Sequence, residues 1–273
     1  MVRVPYEELK AEFKRILLKK GFDAESAEIA AKTFADNSCD GVYSHGINRF
    51  PRVMEYIDKG LINPKAKAEK IAGFGALETW DGHLSLGVLA ARQTMNRAIE
   101  LAASYGIGCV AIRNTNHWMR GGTYGWQAAE AGYVGICWTN TVPNMPAWGG
   151  KDRRIGNNPL VFAVPRSSGE HVVVDMAMSQ FSYGKLEEYR LKEEQLPVPG
   201  GYNEQGELST DPAEIEQALR LLPAGFWKGS SLSIVLDLLA AVLSGGNSTS
   251  DIGKFSNEYA LSQVMIAVDP ARL

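Results

Sequence analysis

Apolar positions recur at helical spacing through the first sixty residues and cluster in strand-like runs after that. Pro5 can open a helix whose Leu9, Phe13, Ile16 and Leu17 fall on one face. Gly21 stops it, and Asp23 can cap a second helix carrying Ala27, Ala30, Ala31 and Phe34, ending near Asp40–Gly41. A third helix is expected from about Pro51 to Lys59, before "GLINP" breaks the pattern. The segment "SHGINRF" therefore lies at a helix junction.

From about Lys70 the pattern changes to strands alternating with helices. "KIAGF" reads as a weak strand, and "LSLGVLAARQTMNRAIELAASYG" as a long helix with Leu89, Met95 and Ile99 among its apolar positions. Strands are predicted at 107–113, 133–140, 159–166, 171–178 and 261–269, with a short helix inside "GGTYGWQAAEAG". "SLSIVLDLLAAVL" (231–243) reads as a buried helix, and "LKEEQLPVPGGYNEQGELSTDP" as a polar surface excursion. The mixture of βαβ-like and hairpin-like spacings favours a mixed sheet over a doubly wound parallel one. The expected fold class is α/β, with a helical N-terminal part over residues 1–68 beside a mixed-sheet α/β domain over 69–273.

Composition narrows the partners. Over 273 residues, 45% apolar and 22% charged residues are ordinary for a globular protein, and a formal charge of −3 gives no basic excess for nucleic acid. No uninterrupted apolar run approaches the roughly 18 residues of a membrane span, and the N-terminal "MVRVPYEELK" lacks a signal-like stretch. Three scattered cysteines, Cys39, Cys109 and Cys137, suggest neither a disulfide framework nor a zinc knuckle. These features lead to the expectation of a cytoplasmic protein without nucleic-acid or membrane partners.

Candidate chemistry begins with "CDGVYSHGINRF" (39–50). An imidazole shuttles protons near neutral pH, and a guanidinium fits a carboxylate as a planar fork. His45 and Arg49, one helical turn apart, suit a site that holds a small acid and protonates it; a solvent-facing pair is the plainer alternative. "RNTNHWMRGGTYGWQ" (113–127) follows the strongest strand and offers His117, Arg120 and paired glycines to a ligand. Asp175, at the end of a very apolar strand, needs a partner: it can orient a histidine or cap backbone amides. Lys228 stands where "GFWKGSSLS" begins a helix, a place that can hold an anion or simply be capped. Trp138, Trp148 and Trp227 can face an aromatic ligand or fill a core. G-x-G-x-x-G, G-x-x-x-x-G-K-[ST] and G-x-S-x-G are all absent, and the four histidines lack metal-ligand spacing. No metal is expected, and any nucleotide site must be built in another way.

"DGVYSHGINRFPR", "RNTNHWMRGGTYGWQAAEAGYVGICWTN", "RIGNNPL", "VDMAMSQFSYGK" and "FWKGSSLSIVLDLL" together resemble the malate/L-lactate dehydrogenase-type oxidoreductases, nicotinamide enzymes without a Rossmann fold. The resemblance runs over essentially the whole chain. It implies a homodimer, an unusual α/β nicotinamide-binding domain and reversible hydride transfer between NAD(P)H and a 2-oxo acid. NADH is the expected cofactor, with NADPH possible, and the substrate a small 2-oxo acid or sugar acid. His45 matches the family's proton donor. His171, Val172, Val173, Val174, Asp175, Met176 and Ala177 match one cofactor-binding stretch, with departures at its two ends, and Trp227–Lys228 match a second. A third, a Gly-His-Glu segment, has no counterpart before Leu273, so weaker NADH binding is expected than with such a segment. Arg49, by its spacing, would fork the substrate carboxylate; His117 would touch substrate and Asp175 would orient an imidazole. Malate-, lactate- or ureidoglycolate-type dehydrogenation is the alternative within the family. Outside enzymes, the alternative is a sugar-acid-binding protein without turnover.

Overall fold

The computed structural model describes residues 3–272. Helices α1 (Tyr6–Lys19) and α2 (Ala24–Cys39) pack side by side, and Asp23 caps α2 by accepting the Ser26 amide at 2.8 Å. A 3-10 turn (Tyr43–His45) leads into α3 (Phe50–Asp58). Phe13, Phe34 and Phe50 lock these helices together, with Phe50 centroids 4.3 Å from Phe13 and 5.1 Å from Phe34. Leu86, Val88 and Met119 complete the same apolar cluster, which seats the helices on the rest of the molecule.

The remainder is built on a seven-stranded mixed sheet. Its chain order begins β1 (Glu69–Phe74), β2 (Leu77–Asp81), α4 (Gly87–Tyr105), β3 (Ile107–Thr115), α5 (Gly122–Glu130) and β4 (Val134–Thr139). A short ribbon, β5 (Met145–Pro146) and β6 (Arg153–Ile155), precedes β7 (Leu160–Val164) and β8 (Val172–Met176). Then come α6 (Tyr183–Leu191), a second ribbon of β9 (Gly201–Tyr202) and β10 (Leu208–Ser209), and α7 (Pro212–Ala218). The described chain continues through α8 (Trp227–Ser244), α9 (Thr249–Ile252) and β11 (Leu261–Val268).

The sheet order is β1-β2-β3-β11-β4-β7-β8. Strand β11 comes last in sequence yet lies centrally, antiparallel to both β3 and β4, and only β2–β3 is parallel. Successive strand residues point to opposite faces. Val110, Cys137, Val161 and Met265 meet α4 and α5, whereas Ala111, Trp138, Leu160 and Val264 meet Leu236 and Ala240 of α8.

The mixed α/β fold agrees with the sequence pattern, and two local expectations are corrected. β2, α6 and α7 were not anticipated. The segment 231–243 is not a buried helix: α8 buries Ser233, Leu236 and Ala240 but exposes Val235, Leu238, Leu239 and Val242, the last at 77%. With 18 residues and a mean hydropathy of 1.3, α8 also reaches the length and composition of a membrane-crossing helix, which the run-length reading missed. Its central Asp237 accepts from the Asn140 side chain at 3.0 Å and the Thr249 amide at 2.8 Å, tying it to β4 and α9.

Candidate active site

The S-H-G sequence is explained by contact with α2. Asn37 donates its side-chain amide to the His45 carbonyl at 3.0 Å, and Ser38 Oγ accepts the Ile47 amide at 2.9 Å. A Cβ at position 46 would stand 2.3 Å from Ser38 Oγ, so only glycine lets the turn lie this close. His45 is thereby fixed at the end of the 3-10 turn, and Arg49 forms the N-cap of α3 one turn later.

His117 arrives from the other side, in the loop after β3. Asn116 anchors that loop by donating its side-chain amide to the carbonyls of Leu61 (3.1 Å), Leu84 (3.2 Å) and Ser85 (3.1 Å), and its backbone carbonyl accepts from the buried Gln263 side chain at 2.9 Å. Met119, held at a φ of 67°, donates its amide to His117 Nδ1 at 3.0 Å. A neutral imidazole that accepts at Nδ1 carries its proton on Nε2, so His117 offers an N–H donor. His45 and His117 stack with centroids 5.5 Å apart.

His45, Arg49, Arg52 and His117 line one cavity of about 630 Å³, together with Asn144, Tyr183 and Glu258. Burial, then the charges of Arg49 and Arg120, push the His45 imidazolium down to about 4. Burial, then Arg49, His45 and Arg52, pushes His117 well below the ordinary range. Burial lowers Arg49 against the opposing pull of Glu258, whose own carboxyl is raised by burial against the pull of Arg49 and Arg52. Arg52 and Glu258 escaped the sequence reading. Arg52, three residues after Arg49 on the same helix face, carried a usable signal; Glu258 reaches the cavity only through the tertiary fold.

Asp175 does not meet an imidazole. Its carboxylate accepts the Gly122 amide at 2.7 Å at the start of α5, so of the two partners considered for it the backbone is the one it has. A second cavity of about 510 Å³, lined by Tyr6, Asp36, Asp40, Arg120 and Trp126, contains none of the His45–Arg49–His117 group. Arg120 there pairs with Asp40 at 2.6 Å and lies 4.5 Å over the Trp126 ring.

The two stretches matched to cofactor binding lie side by side. Val172, Val174 and Met176 expose their side chains on edge strand β8, while Val173 packs inward with the α4–α5 core. His171 closes the preceding turn by accepting the Arg166 amide at Nδ1, 3.1 Å, and Ala177 follows the strand. Just beyond, the Met178 carbonyl accepts the Ala224 amide at 2.8 Å, and a Cβ on Gly229 would approach that carbonyl to 2.8 Å. This stitch brings the start of α8 against the end of β8. Trp227, 58% exposed, and Lys228, with Nζ 5.9 Å from the Trp227 ring centroid, project from that helix start. Of the other candidate tryptophans, Trp138 is core and donates to the Leu236 carbonyl at 3.1 Å, whereas Trp148 stays half-exposed beside Phe226.

A family model described as malate/L-lactate dehydrogenase matches residues 4–273. The chain belongs to the malate/L-lactate dehydrogenase family. It is 52% identical to the 2,3-diketo-L-gulonate reductase of Escherichia coli K12 / DH10B, covering 100% of this chain and 82% of that protein. Its fold matches malate dehydrogenase from Entamoeba histolytica with a TM-score of 0.93 at 28% identity, covering 100% of this chain and 80% of that one. It matches Δ1-piperideine-2-carboxylate reductase from Pseudomonas syringae with a TM-score of 0.90 at 29% identity, covering 99% and 82%. This family member is an oxidoreductase, and its family implies a nicotinamide cofactor. The chain offers matching groups: an exposed indole for a ring, a lysine beside it at a helix start for phosphate, and an exposed apolar strand, β8, whose end lies against that helix start.

Proposed function

We propose that this chain is a 2,3-diketo-L-gulonate reductase, converting that sugar acid to 3-keto-L-gulonate with NADH. The observation that carries the reading is the convergence of His45, Arg49 and His117, from two distant segments, on one cavity large enough for a substituted 2-oxo acid. The 52% identity to reductases of that name supports the substrate. The His171–Ala177 stretch contains no arginine or lysine for a 2′-phosphate, which favours NADH over NADPH.

When bound, the nicotinamide supplies the hydride. Arg49 forks the substrate carboxylate and so fixes which face of the carbonyl is presented. The His117 Nε2–H donates toward the oxygen on which negative charge grows. His45 delivers the proton that completes reduction. In the free protein His45 is neutral at pH 7, because burial and Arg49 oppose its charge. A bound carboxylate neutralises Arg49 and favours the imidazolium, so His45 takes up its proton together with the substrate. In the reverse direction neutral His45 is already the base.

We also propose a homodimer. Val235, Leu238 and Val242 stand exposed on the outer face of α8, and Phe162 and Val164 expose apolar side chains on the same side of the sheet. Exposed apolar side chains gathered on one side of a molecule mark interaction surfaces.

The test is the fall of NADH absorbance with 2,3-diketo-L-gulonate, pyruvate and oxaloacetate in turn. The highest kcat/KM is expected for the sugar acid. A preference for pyruvate or oxaloacetate would transfer the assignment to a lactate or malate dehydrogenase. No consumption of NADH with any 2-oxo acid would leave a binding protein.

A further inference from the structure

Three residues lining the active-site cavity, Asn144, Tyr183 and Glu258, each carry a buried polar atom (Oδ1, Oη and Oε1) with no hydrogen-bond partner among the described residues. Glu258 bears on Arg49 and Arg52 and belongs to the cationic end of the cavity. The other two lie where the wall is formed by amides and the start of α6. Asn144 donates Nδ2 to Asn157 Oδ1 at 2.8 Å, and Thr141 Oγ1 donates to the same oxygen at 3.1 Å. With its nitrogen engaged in this way, Asn144 has its oxygen left as a free acceptor.

Tyr183 is equally constrained. Ser182 caps α6 by accepting the Lys185 amide at 3.2 Å, and a Cβ on Gly184 would stand 2.5 Å from Ser44 Cβ. The residues on either side of Tyr183 are thus pinned, one of them against the turn that carries His45. Burial raises the Tyr183 phenol to about 12, so it remains an O–H donor at neutral pH.

We propose that Tyr183 and Asn144 form a subsite for the hydroxyl-bearing tail of the substrate, beyond the carbonyl that is reduced. This rests on the reductase reading above and names the residues that give it chain-length selectivity. A phenol that donates and an amide oxygen that accepts match hydroxyl groups, each of which can do both. A short acid such as pyruvate reaches neither and leaves both buried groups without partners, the arrangement by which sites reject analogues lacking a hydroxyl.

The test compares wild type with Tyr183→Phe, which keeps the ring and removes the hydroxyl. The ratio of kcat/KM for 2,3-diketo-L-gulonate to that for pyruvate should fall about tenfold in the variant. A parallel calorimetric titration with L-gulonate and L-lactate should show the same loss of preference, with the melting temperature reporting retained folding. An unchanged ratio and an unchanged binding preference in a folded variant would overturn the subsite and leave a water-filled recess. If wild type fails to reduce the diketo acid, the substrate assignment falls, and the two titrations still decide whether this recess recognises hydroxylated acids.

Discussion

The imidazoles of His45 and His117 stack with their planes inclined by 23°. One hangs from the turn between α2 and α3, the other from the loop after β3, so the contact joins two segments some seventy residues apart. Neither ring is charged in the free protein, because burial and the nearby Arg49 both oppose protonation. The site sets two neutral imidazoles beside the guanidinium groups of Arg49 and Arg52.

Stability should therefore depend on pH with a definite sign. His45 titrates near the ordinary histidine value of about 6.5 when unfolded and at about 4 when folded. Between those values the unfolded state binds more protons, so its contribution is present above pH 6.5 and lost as pH falls toward 4. The contribution is at most about 3 kcal/mol, and His117 adds in the same direction. Thermal melts of wild type and His45→Gln across this window should give a flatter curve for the variant. Parallel curves would show that His45 is not held neutral by the fold.

Arg49→Lys should raise KM for the 2-oxo acid about tenfold or more, since an ammonium cannot reproduce a bidentate fork. Steady-state kinetics at saturating NADH read this directly. An unchanged KM would place the carboxylate elsewhere, with Arg52 the next candidate.

His117→Ala should lower kcat/KM by about 10²–10³-fold, the cost of removing one donor from a developing oxyanion. NADH affinity, followed by fluorescence titration, should stay within about twofold, a change of less than half a kcal/mol. A loss confined to NADH binding would move His117 from the substrate to the cofactor.

Much of this architecture is legible in the sequence, and the failures have physical causes. The N-terminal amphipathic helices and the central strands follow from spacing, whereas for His45 and Arg49 spacing left a solvent-facing pair open beside a site. Strand β2 escaped because "LETWD" looks like a polar surface segment. Its Glu78 is in fact buried, held by Arg97 at 2.8 and 3.0 Å and by Lys70 at 2.7 Å, which keeps the carboxyl at about 2. A paired buried carboxylate mimics an exposed one in any pattern analysis. Asp175 could be read two ways until the Gly122 amide was seen beside it. The apolar back of α8 misled in the opposite sense, since periodicity cannot tell a face buried within one chain from a face left for another surface.

Leu238→Glu on that face should weaken self-association without disturbing the site. Sedimentation velocity should show wild type as a dimer and the variant shifted toward monomer. A monomeric wild type at micromolar concentration would remove the homodimer.

The central claim is that His45 supplies the proton to the reduced carbonyl. The direct measurement is turnover of 2,3-diketo-L-gulonate by His45→Gln, alongside its NADH affinity. The account predicts a kcat lower by at least about 10²-fold with NADH binding retained, because the proton is needed in the transition state and not for cofactor binding. Wild-type turnover in that variant would contradict it.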